Sequence, residues 1–265
     1  MAEAGGLYYE ERGPVGAPSL ILSSGLGGAG GYWAPNLVAL AEKHRVITYD
    51  HRGTGQSQRE IDGLLTIARM AEDVRMLMDA IGSERATFVG HAFGGHIGLM
   101  LALESPELLD RLVVINGWAR LDPHTARCFD TRLALLRDSG PRAYLHAQPL
   151  FLYPPQWISD HSDRVADEEE AHLAHFPGAE MVQRRIAAAR LFNLADRLGD
   201  IQVPTLILAA DDDMLVPPSC SERLAEGLPK GQLARFASGG HACNVTRAEH
   251  FNQWLGAWLG LADKE

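Results

Sequence analysis

Phe88-Val89-Gly90-His91-Ala92-Phe93-Gly94-Gly95 carries the frame G-x-S-x-G, with alanine where the serine belongs. In that frame a strand meets a helix in a strained turn that lifts a nucleophile above a sheet. Gly90 and Gly94 are in place, but a methyl group cannot attack a carbonyl. Three readings follow. The chain hydrolyses without an acyl-enzyme, it binds without catalysis, or Ala92 replaces a natural serine.

Working outward, short apolar and β-branched runs flank the turn: Ser19–Ser23, Arg45–Tyr49, Ala86–Val89, Leu112–Ile115 and Thr205–Ala209. Near-continuous hydrophobicity is what parallel strands covered on both faces require. Helical patterns at Trp33–Lys43, Ile67–Ile81 and Phe93–Glu104 alternate with them, which predicts crossover helices around a parallel sheet. Strands near Leu7–Arg12 and Gln232–Phe236 extend the sheet, and a helix over Ala248–Leu261 closes the chain. The rhythm breaks between Arg120 and Asp200, where the pattern is helical and polar and punctuated by Pro149, Pro154, Pro155 and Pro177. This segment is expected to form a helical cap over the carboxyl edge of the sheet, where open α/β folds bind ligands. The expected division is a core of residues 1–119 and 201–265 with a cap of 120–200.

Three further stations accompany the turn. Ser23-Ser24-Gly25-Leu26-Gly27-Gly28 follows a core strand and suits a loop whose backbone approaches a ligand. The Leu26 and Phe93 N–H groups are the expected oxyanion donors, with Ser24 where histidine is usual. In Asp211-Asp212-Asp213-Met214-Leu215-Val216-Pro217, three aspartates compete for one role. Chemistry alone leaves the choice open; a resemblance to the D-x-x-x-P spacing of the α/β hydrolases implies Asp213, with Asp211 and Asp212 as turn formers or solvated charges. Gly239-Gly240-His241-Ala242-Cys243-Asn244 supplies the expected base, His241. The order turn, acid, histidine is that of the α/β hydrolases, which this chain resembles. Asp50-His51-Arg52-Gly53-Thr54-Gly55 adds a stretch typical of them, read as structural, with Arg52 bracing loops. The resemblance implies a mostly parallel eight-stranded sheet with helices on both faces.

Bulk properties narrow the partners. A net charge of −10 over 265 residues argues against a nucleic-acid partner. No run approaches the length of a membrane span. The opening Met1-Ala2-Glu3-Ala4-Gly5-Gly6 has no basic and apolar leader, and Cys128, Cys220 and Cys243 are few and widely spaced. Both features suit a cytoplasmic protein with free thiols. No H-E-x-x-H or dinucleotide fingerprint is present, so neither a metal nor an organic cofactor is expected. A small-molecule substrate and a monomer or homodimer are.

A closer resemblance rests on longer strings. These are Ser24–Gly28 with Tyr32-Trp33, Asp50–Gly55, Gly90–Gly94, Asn116-Gly117-Trp118, Arg127-Cys128-Phe129, Ala147–Pro154, Ala174-His175-Phe176 and Gly239–Thr246. Over nearly its whole length the chain resembles the α/β hydrolases of the pyrimidine-utilisation (Rut) pathway. The resemblance implies alanine as that family's own residue at the turn, and a role in breaking down uracil for nitrogen. The implied reaction is hydrolysis of a non-peptide C–N bond, converting carbamate to ammonia and CO2, with 3-aminoacrylate as the alternative substrate. The other readings are a silent binding protein and an alanine variant of a carboxylesterase. On the residues themselves, Asp213 orients His241, which serves as base or proton shuttle, and the space above Ala92 holds water or substrate. Ser24, His91, Trp118 and Arg127 are the candidate substrate contacts, Arg127 as the cap cation for an anion. Phe151, Tyr153 and Trp157 are candidate lining residues, and Cys243 is a second candidate nucleophile.

Overall fold

The computed structural model describes residues 2–260. Eight strands form one sheet: β1 (Ala2–Ala4), β2 (Leu7–Arg12), β3 (Ser19–Ser23), β4 (Arg45–Tyr49), β5 (Ala86–His91), β6 (Leu109–Ile115), β7 (Thr205–Ala210) and β8 (Gly231–Phe236). Their order is β1-β2-β4-β3-β5-β6-β7-β8. Only β1 against β2 and β2 against β4 are antiparallel. The two-residue turn Gly5-Gly6, both at positive φ, allows the β1–β2 hairpin, which the hydrophobic pattern alone did not mark.

The period-two alternation of the parallel strands sorts side chains onto two faces. Leu20, Leu22, Val46, Val89, Val113, Ile115, Leu206 and Leu208 point one way. They pack under α1 (Ala34–Leu40) and, at the end of the described chain, the helix Ala248–Gly260. Ile21, Ile47, Phe88, Leu112, Val114 and Ile207 point the other way, under α2 (Ile67–Ala80) and α3 (Phe93–Glu104). Leu261, the expected last residue of the closing helix, lies outside the described residues. The helix expected over Trp33–Lys43 is shorter at both ends: Gly30–Trp33 forms a 3-10 turn before it, and past Leu40 the chain turns toward β4.

Between β6 and β7 the chain is helical: α4 (Pro123–Leu152), α5 (Pro155–Asp160), α6 (Ser162–Ala174) and α7 (Ala179–Leu191). This is the cap. Asp122 caps the start of α4 by accepting from the His124 N–H at 2.8 Å. Gly140, at φ 84°, breaks α4 just before Pro141. An isolated bridge between Arg120 and Asn193 ties the segment's two ends together. After β7 come α8 (Pro218–Gly227), the short α9 (Cys243–Thr246) and the closing helix, α10. Among the described residues no helix is long and apolar enough to cross a membrane.

The Asp50–Ser57 loop braces the sheet's carboxyl edge. Arg52 makes a buried bidentate pair with Asp73 of α2 at 2.6–3.1 Å and donates to Gln58 and the Gly5 carbonyl. The structural role expected of Arg52 is borne out. Asp50 accepts from the Gly30 and Gln56 N–H groups, both at 2.8 Å.

Candidate active site

The turn at position 92 keeps its strain without its nucleophile. Ala92 sits at φ 47°, ψ −105°, outside the regions open to L-residues. Both flanking glycines are obligatory. A Cβ on Gly94 would lie 2.3 Å from the Ser23 carbonyl oxygen, and one on Gly90 would lie 2.4 Å from the backbone of Gly94. The strand and helix therefore cross too closely for any side chain at either position. Phe93 opens α3, so its N–H is one of the first-turn donors that no helix satisfies internally.

The acid and the histidine meet as the spacing required. His241 Nδ1 donates to Asp213 Oδ2 at 2.8 Å, both side chains being buried. The other Asp213 oxygen accepts from the Leu215 and Val216 N–H groups at 2.8 and 2.9 Å. This fixes the tautomer: Nδ1 carries the proton and Nε2 turns its lone pair toward the cavity. Asp212 does more than turn the chain. Its carboxylate accepts from the Gly240 and Gly239 N–H groups at 2.8 and 3.1 Å and so pins the histidine loop. Asp211 pairs with Arg235 on the surface.

The backbone of His241 is held from two further sides. Its carbonyl accepts from His91 Nε2 at 2.8 Å and from Asn116 Nδ2 at 2.7 Å. Asn116 is itself strained, at φ 51°, and its Oδ1 accepts the Ala210 N–H at 2.9 Å. It joins the ends of β6 and β7 to the histidine loop. Burial, with His241 beside it, holds His91 neutral, its pKa far below the ordinary histidine value. Its Nδ1 has no partner among the described residues, although it is buried.

These groups open onto a cavity of about 230 Å³. Ser24, Leu26, His91, Ala92, Phe93, Trp118 and His241 all line it. These sequence candidates thus converge from four separate stretches, with one correction. Arg127 is exposed and does not line the cavity. On α4 the buried positions are Thr125, Cys128, Phe129 and Arg132, the 3–4 spacing of one helix face, and Arg127 falls off it. Arg132 lies on that face and lines the cavity, together with Arg185 of α7. Of the candidate aromatic residues Tyr153 lines it, while Phe151 and Trp157 do not. Cys243 is fully buried away from it, its thiol pushed up to about 12 by burial, and is no nucleophile. A larger cleft of about 480 Å³ beside α8 contains Trp118 and Cys220 but none of Ala92, Asp213 and His241.

Arg185 and His51 were not singled out in the sequence. Arg185 Nε donates to the Leu26 carbonyl at 2.7 Å, and one Nη donates to His51 Nδ1 at 2.9 Å. His51 Nε2 then donates to Ser23 Oγ at 3.0 Å. The available signal was an arginine on an apolar helix face, at the spacing of Val182, Ile186 and Ala189.

Comparison with known proteins agrees with this arrangement. The family model described as alpha/beta hydrolase fold matches residues 18–152. A relative from Caulobacter vibrioides, named "Putative carbamate hydrolase RutD", is 52% identical over 256 residues, covering 96% of this chain and 95% of that protein. One of the same name from Agrobacterium fabrum is 47% identical over 260 residues, covering 97% and 100%. Among solved structures, a hydrolase from Pseudomonas aeruginosa PA01 superimposes with a TM-score of 0.86 at 30% identity, covering 96% of this chain and 94% of that one. The enol-lactonase from Burkholderia xenovorans LB400 gives 0.87 at 25% identity, covering 98% and 99%. With a sheet of this order, a strained turn at Ala92 and relatives this close over the whole length, the chain belongs to the α/β-hydrolase family and, within it, to the group that carries the RutD name.

Proposed function

We propose that this hydrolase cleaves the C–N bond of carbamate in pyrimidine breakdown, with no covalent intermediate. One observation carries the reading: the strained turn and the oriented histidine are both retained around a residue that has no nucleophilic atom. A binding module has no need of an oriented base. We take residues 120–200 as the cap, and the enzyme as cytoplasmic, monomeric or homodimeric.

Water above Ala92 gives a proton to His241 Nε2 and its oxygen attacks the carbamate carbon. The charge that builds on oxygen is met by the Leu26 and Phe93 N–H groups. His241, stabilised as a cation by Asp213, returns the proton to nitrogen. The C–N bond breaks with its electron pair on nitrogen, and ammonia leaves. The other product is bicarbonate, the hydrated form of CO2. Ser24, His91 and Trp118 surround the substrate.

The magnitudes favour a labile substrate. In serine hydrolases stripped of a triad member, about 10³–10⁴-fold of acceleration survives from the oxyanion hole and binding. A stable amide needs far more, but carbamate decomposes unaided in water, so this acceleration is useful. The test is ammonium release from fresh carbamate at mildly alkaline pH, where the background is slow. The protein should accelerate release and His241→Ala should return it to background. Equal rates in the two proteins refute the mechanism.

A further inference from the structure

The cavity wall holds two cations and no anion. Arg132 reaches it from α4 and Arg185 from α7, 3% and 1% exposed. Among the described lining residues there is no aspartate or glutamate. The nearby carboxylate, Asp213, is committed to His241 and two backbone N–H groups. The hydrogen-bond partners of both arginines are neutral. One Arg132 Nη donates to Tyr144 Oη at 2.7 Å and Gln148 Oε1 at 3.1 Å. Arg185 donates to the Leu26 carbonyl, to His51 and, at 3.4 Å, to the Gly25 carbonyl. Arg132 Nε and Arg185 Nη1 are buried with no partner.

A buried charge without a counterion is expensive, and ordinary proteins pair it. The other buried arginine, Arg52, follows that habit in its pair with Asp73. The exception is confined to the one cavity that also holds His241. The geometry points to an anion subsite in which Arg132 binds the substrate's carboxylate, while Arg185 adds positive charge and positions the oxyanion loop through Leu26. The inference rests on this cavity being the active site. It deepens the proposed reaction by assigning the substrate's ionic form: the enzyme takes the carboxylate anion and rejects uncharged amides of the same shape. Two cations also offset the charge that accumulates when water attacks a group already anionic.

Binding can be read without turnover. Trifluoroacetate and its uncharged isostere trifluoroacetamide are titrated against the intact protein, and binding is followed by fluorine NMR relaxation. The wild type should bind the anion at least about tenfold more tightly, as expected of charge-assisted hydrogen bonds. Arg132→Gln should cut that preference at least about fivefold, and Arg127→Gln, on the exposed face, should leave it intact. Should Arg132→Gln fail to fold by circular dichroism, Arg185→Gln carries the same criterion. No preference in the wild type, or a preference that survives the cavity substitution, overturns the subsite. A preserved preference together with His241-independent ammonium release refutes the proposed reaction and leaves the subsite standing.

Discussion

Replacing Ala92 by glycine should measure the strain that the turn still stores. Ala92 is held at φ 47°, ψ −105°. Residues forced into such regions cost about 1–3 kcal/mol each. Glycine adopts them freely, so the substitution relieves this cost. Against it stand about 0.5–1 kcal/mol of unfolded-chain entropy and about 0.8 kcal/mol for one buried methyl. Ala102, equally buried but in the regular helix α3, bears those two penalties without the relief. Ala102→Gly should therefore lose about 2 kcal/mol, in line with helix propensity plus methyl burial. Ala92→Gly should fall above it by the strain, about 1–3 kcal/mol. Urea unfolding of both variants gives the difference directly, provided the two transitions have equal slopes. A difference below about 0.5 kcal/mol would mean that the turn is unstrained and the reasoning wrong.

Further outcomes follow from the same contacts. Gly94→Ala sets a Cβ 2.3 Å from a backbone oxygen that cannot retreat, so it should cost about 3 kcal/mol or more in the same urea assay; a wild-type midpoint would show that the α3 start can slide. Asp213→Asn should lower ammonium release as far as His241→Ala, and the double variant no further, because the two act as one unit; additive losses would separate their roles. His51, His91 and His96 are held neutral by burial, His96 with its pKa lowered to about 3. Their folded pKa values lie below the unfolded one, so their contribution is present above about pH 6.5 and is lost as pH falls. Unfolding free energy should therefore fall as the pH is lowered from about 7.5 to about 5.5; constant stability across that window would contradict their neutral burial.

Much of the site was legible because it is written in short local strings. The turn at Gly90–Gly94 and the spacing from Asp213 to Pro217 each encode one backbone conformation, so their chemistry could be read before the fold was known. The strands were legible for a similar reason, since burial on both faces leaves a continuous apolar run. Arg132, Arg185 and His51 were not. The hydrogen bond from Arg185 to His51 spans 134 residues and exists only once α7 packs against the loop that follows β4. Arg127 was named and Arg132 was not, because residue type marks a cation without giving helix phase. The exchange of one for the other followed from the buried face Thr125, Cys128, Phe129 and Arg132. Asn116 stood in a string that carried the family resemblance, but its clamp on the His241 carbonyl depends on a positive φ that residue type alone does not announce.

In the proposed mechanism water, activated by His241, attacks above Ala92 where other hydrolases attack with serine. Carbamate turnover in heavy-oxygen water, followed by membrane-inlet mass spectrometry, tests it most directly. Bicarbonate carrying solvent oxygen should be the first product, with CO2 appearing only as that bicarbonate dehydrates. An immediate burst of CO2 without solvent oxygen would contradict it, because the C–N bond would then have broken with no attack by water.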